Sequence, residues 1–148
     1  LFWNAGSDTL SAHVSAQFRE MLEDELNTVE PHLDEYAVDG GNVAVLDSDA
    51  FAHRYEFPPT NLLIDALHRD RTQEQSDVGT IGVDEDTIRI RSTSELDLRD
   101  VAREIREETD QSGTRAIGSD PDQGEIKFLK GERDRVVAAT VDAVARRL

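Results

Sequence analysis

Asp77-Val-Gly-Thr-Ile-Gly-Val83 and Thr87-Ile-Arg-Ile-Arg91, separated only by Asp84-Glu85-Asp86, decide how this chain is read. Apolar and polar residues alternate through both segments, which is the period of strands whose successive side chains point to opposite faces of a sheet. The acidic triplet between them makes a tight turn, so the pair is expected as an antiparallel hairpin. Ile88 and Ile90 then face the core, and Arg89 and Arg91 share the opposite face.

Upstream, Pro58-Pro59 sits at a helix start, where a proline's missing N–H costs nothing, and Leu62, Leu63, Ala66 and Leu67 give the expected buried face. Before it, the turn residues Asp39-Gly40-Gly41 lead into Asn42-Val-Ala-Val-Leu-Asp47, a short apolar run of the kind that forms a buried strand. From Thr9 to about Thr28, Leu10, Val14, Phe18, Met21, Leu22 and Leu26 recur at spacings of three and four. Ser7 or Asp8 is placed to cap this amphipathic helix and Pro31 lies beyond its end.

Downstream, Ser94 or Asp97 caps a helix running to about Thr109, with Leu98, Val101, Ala102 and Ile105 as its apolar stripe. Thr114 to Ile117 and Glu125 to Leu129 then bracket the loop from Gly118 to Gly124, and a last helix from about Glu132 uses Val136, Val137, Thr140, Val141 and Val144. Such an order predicts an α/β fold: a mixed sheet of about five strands flanked by helices and preceded by a linker-like amphipathic helix. Residues 1–35 are read as that helix region and 36–148 as the sheet domain.

A chain of 148 residues is long enough to bury a core without covalent staples. It has no cysteine, which excludes disulfides, thiolate metal sites and a cysteine nucleophile and reads as intracellular, with the cytoplasm as the expected location. No run approaches the roughly 20 apolar residues of a membrane span, so no membrane association is expected. Leu1-Phe2-Trp3 in place of a starting Met reads as a piece of a longer protein. The formal net charge is -16, from 32 acidic and 16 basic residues, and Lys127 and Lys130 are the only lysines. Molar salt shortens the Debye length to about 3 Å and makes such self-repulsion tolerable, so a halophilic archaeal source is expected.

Walker, GxSxG, HExxH and CxxC patterns are all missing. None of His13, His32, His53 and His68 stands three or four residues from another, as a two-histidine metal face requires, and no metal ligands are assigned on this chain. Asp47, Asp49 and His53 crowd a loop at the end of a buried strand, where open α/β sheets hold ligands. The alternative is that the aspartates form turns while Phe51, Tyr55 and Phe57 anchor the loop in the core. Arg89, Arg91 and Ser92 project from the hairpin, and Arg115 and Lys127 join them if the strands are neighbours. Arginines so grouped either hold phosphates or pair with the surplus carboxylates.

The run Asp86-Thr-Ile-Arg-Ile-Arg-Ser-Thr-Ser94, the helix near Leu98 and then Gly113-Thr-Arg-Ala-Ile-Gly-Ser119 resemble the DHH-associated domain of RecJ-like single-strand exonucleases and related DHH phosphoesterases. The resemblance covers roughly Gly41 to Leu148. In that family a strand ends in an Arg-Ser pair, matched here by Arg91 and Ser92, and a later loop usually reads Gly-Gly-Gly-His against the substrate backbone. Here that loop has neither the glycine triplet nor the histidine. The resemblance implies a single-stranded DNA or RNA partner, held by Arg89, Arg91, Ser92, Arg115, Gly118, Ser119 and Lys127. It also implies no catalytic residue on this chain, and a separate DHH domain carrying two manganese or magnesium ions and the exonuclease chemistry of DNA repair. The altered loop suggests an alternative, a non-catalytic scaffold that partners replication proteins.

Overall fold

The hairpin forms the middle of the sheet. Strands β3 (Val78–Val83) and β4 (Thr87–Ser92) pair antiparallel with Ile81 opposite Ile90 and Gly82 opposite Arg89. The computed structural model describes residues 2–38, 41–47, 60–109, 115–117, 124–128, 131 and 133–148. Around the hairpin lie α1 (Phe2–Val29), β1 (Asp34–Val38), β2 (Gly41–Asp47), α2 (Thr60–Glu74), α3 (Leu98–Thr109), β5 (Arg115–Ile117), β6 (Glu125–Lys127) and α4 (Arg133–Ala145). The sheet order is β1-β2-β3-β4-β6-β5, with β2 and β3 parallel and every other pair antiparallel. The expected mixed α/β sheet is therefore what forms, with six strands among the described residues.

The strand not anticipated is β1. Its residues Asp34 to Ala37 are exposed on both faces, and it is held by antiparallel pairing to β2, Tyr36 opposite Val43. Four successive exposed residues at a sheet edge carry no hydrophobic period to read.

Alternation in the central strands divides the core in two. Val43, Val45, Ile81, Val83, Ile88, Ile90 and Ile126 point to one face, where Val101 and Ile105 of α3 and Val136 and Val144 of α4 cover them. On the other face Leu46 meets Leu63, Ile64, Ala66 and Leu67 of α2 and Leu26 and Val29 of α1. Each fully buried aliphatic side chain contributes about 1.5–3 kcal/mol relative to exposure. Helix α2 lies close because Gly82 has no side chain: a Cβ there would stand 2.7 Å from two atoms of Ile64.

Several sequence expectations shift in detail. Leu62 is 37% exposed and Ile64, fully buried, takes its place on the packed face of α2. Helix α1 begins at Phe2, so Ser7 and Asp8 lie within it rather than capping it. Leu26 is buried and Leu22 packs beside it, while Met21 is 54% exposed. Of the two candidate caps for α3, Asp97 takes the role, its Oδ1 accepting the Arg99 N–H at 2.9 Å.

A polar stripe on α2 also faces the sheet. The Arg71 guanidinium, 7% exposed, donates to Gly79 O at 2.6 Å, Thr80 Oγ1 at 2.9 Å and Asn42 Oδ1 at 3.1 Å, fastening α2 to β2 and β3. Burial lowers its pKa from the ordinary arginine value, and the charge of Glu35 opposes that shift.

Candidate nucleic-acid interface

Where β4 ends, Ile90 to Leu98 and Gly124 line a cleft of about 690 Å³. Hydroxyl groups set its turn. Thr93 Oγ1 accepts the Val78 N–H at 3.1 Å, the Thr93 N–H reaches Val78 O at 3.0 Å, and Ser92 Oγ accepts the Ser94 N–H at 3.1 Å. The Thr93 bonds to Val78 make the last link between β4 and β3, and the local Ser92–Ser94 bond then turns the chain away toward α3.

Arg91 reaches this cleft along a defined path. Its Nε donates to Asp65 Oδ1 on α2, and its Nη1 donates to Ile90 O at 3.0 Å. Gly124 closes the other side, its carbonyl accepting the Ile90 N–H at 2.8 Å. Its φ is +52°, a left-handed conformation that favours glycine. A Cβ at 124 would also stand 2.3 Å from Ile90 O and 2.9 Å from Arg91 Nη1, so this glycine leaves the space in which the guanidinium lies.

The expected arginine grouping is brought together in part. Arg89 and Arg91 share the α2 side of the sheet, opposite Ile88 and Ile90. Arg89 is taken up by carboxylates, paired to Asp84 with its Nε 3.3 Å from Glu125 Oε1, and it does not line the cleft. Lys127 is opposite Thr87 on β4 and opposite Arg115 on β5. That row lies four residues along β4 from Arg91, about 13 Å at strand spacing. Ser92 lines the cleft beside Arg91. Gly118 and Ser119 lie outside the described residues, as do Asp49 and His53. Asp47 ends β2 in an ion pair with Arg133 and lines a separate groove of about 370 Å³ with Tyr36 and Val137.

Sequence reading missed the support behind Arg91. Asp65, His68 and Arg71 recur at a spacing of three on α2, a polar stripe that faces β3 and the end of β4. His68 Nδ1 is 2.9 Å from Thr80 Oγ1. Burial lowers the His68 pKa, and the Arg71 and Arg91 charges push the same way. Asp65 and a hydrogen bond to the Ser92 backbone oppose them. The signal available in the sequence was Asp65-x-x-His68-x-x-Arg71 alongside the buried leucines.

Among the described residues no group of three or more His, Asp or Glu side chains could hold a metal ion, and no helix is long and apolar enough to cross a membrane.

No family model matches this chain, and no curated protein does. Among solved structures it is similar to one described as "Member of s1p family of ribosomal proteins", DHH domain, with 21% sequence identity and a TM-score of 0.80. The likeness covers 92% of this chain and 33% of that one, so the chain spans about a third of that structure's length. At this identity the likeness is one of fold: the six-stranded mixed sheet with its helices is the architecture of part of a protein described as a DHH domain.

Proposed function

We propose that this chain is the substrate-binding, DHH-associated part of a RecJ-like exonuclease. It lays the backbone of a single-stranded nucleic acid across the end of β4, and Arg91, Ser92 and Arg115 contact phosphates. The observation that carries this reading is the Arg91–Ser92 strand end lining a cleft closed by Gly124. A guanidinium held by Asp65 and Ile90 O matches phosphate geometry with little further ordering. The fold likeness to a DHH-domain structure supports the assignment. Manganese or magnesium and the bond-breaking groups belong, on this reading, to a domain outside these residues.

Binding of labelled oligothymidylate by the intact protein at molar KCl tests it. Arg91→Ala is expected to weaken affinity about ten-fold, the scale of one charge-assisted phosphate contact. Arg115→Ala is expected to weaken it less. Wild-type affinity and cleavage in both variants would remove the reading. The loop from Thr114 to Gly124, without a glycine triplet or histidine, favours a second reading, a replication scaffold. Co-purification of replication proteins with a full-length protein lacking nuclease activity would select it.

A further inference from the structure

We infer that Asp65 is the positioning residue for Arg91, holding the guanidinium in the pose in which it meets a phosphate; this rests on the function proposed above. Among the described residues Arg91 is the only arginine lining the β4 cleft, and its side chain is 15% exposed. Asp65 is not part of the lining; it stands behind Arg91 on α2, with its own side chain 42% exposed. Ile90 O takes Nη1 while Asp65 takes Nε, so two acceptors on different elements fix the plane of one guanidinium.

The support for Asp65 is itself anchored. One helical turn on, His68 bonds Thr80, and nearly two turns on, Arg71 bonds Gly79 O and Thr80 on β3. Asp65 is thereby referenced to the sheet that carries Arg91. An arginine freed from such a hold has several rotatable bonds to order when ligand arrives. A carboxylate behind the guanidinium also repels an incoming phosphate, but in molar salt that repulsion is screened beyond about 3 Å, whereas the direct hydrogen bond persists. Orientation therefore decides the sign, and removing Asp65 weakens binding.

The test is fluorescence anisotropy of labelled oligothymidylate with the intact protein in molar KCl, alongside thermal unfolding. Asp65→Ala is expected to weaken binding about three- to five-fold, the range of a partly exposed ion pair. Asp65→Glu should restore most of the loss. In an Arg91→Ala background, Asp65→Ala should cost nothing more, which separates positioning from general loosening of the fold. Wild-type or tighter binding by Asp65→Ala, with Arg91→Ala weakened, overturns the inference and leaves the proposed function standing. An additive loss in the double variant also overturns it. Wild-type binding by Arg91→Ala removes the proposed function itself.

Discussion

At position 124 a single hydrogen in place of a side chain keeps β4, the approach to β6 and Arg91 compatible. Gly124→Ala requires a left-handed φ from a residue with a Cβ and pushes that Cβ into Ile90 O. The expected cost is about 1–3 kcal/mol, read as a lower urea midpoint, together with weakened oligothymidylate binding because Arg91 is displaced. An unchanged midpoint would show that the loop relaxes freely there. The Arg91–Ser92 pair was legible in the sequence because it closes an alternating segment. Its ion-pair partner was not, since Asp65 lies 26 residues away and only the crossover from β2 to β3 brings it near.

Helix α2 carries two kinds of contact on one surface, aliphatic side chains toward the core and a polar stripe toward the strand ends. Its pH behaviour follows from His68. The unfolded chain protonates this histidine near the ordinary value of 6.5, while burial and two neighbouring guanidiniums hold it neutral to lower pH in the fold. As pH falls below 6.5 the unfolded state binds more protons, so the His68 contribution, complete above that pH, is lost through the acid side. His68→Gln is therefore expected to flatten the stability profile between pH 7 and 5 relative to wild type, measured by urea midpoints across that window. Equal slopes in the two proteins would sink the idea. Elements with a clear period, β3, β4, α3 and α4, and the apolar run of β2 were readable, whereas exposed Asp34 to Ala37 of β1 had no pattern. One residue of the α2 face was misassigned because Leu62 and Ile64 are equally apolar, and the close approach at Gly82 selects Ile64.

The whole molecule is governed by its charge. Arginines are drawn onto carboxylates across elements: just past α4, Arg146 meets Glu108 and Arg147 meets Glu104 of α3, at 2.9 and 2.5 Å. With a net charge of -16, the remaining acidic groups repel one another. Raising KCl from physiological to molar concentration is expected to raise the thermal midpoint by about 5 °C or more, equivalent to roughly 1–2 kcal/mol for a domain this size. A flat or falling midpoint would count against the high-salt reading of the composition. Fold class followed chiefly from residues 42–47 and 60–109, where the burial matches the sequence pattern. The cleft became visible only when the distant Gly124 was seen beside β4.

Arg71 feels the charge of Glu35 but makes its hydrogen bonds elsewhere. The oxygens that receive its hydrogen bonds are neutral ones, a backbone carbonyl, a hydroxyl and an amide, sealed between helix and sheet. Brine that dissolves the attraction between exposed opposite charges finds little to weaken in such a rivet. The seam joining β2, β3 and α2 should therefore keep its shape from dilute buffer to saturated brine, even as the outer ion pairs loosen.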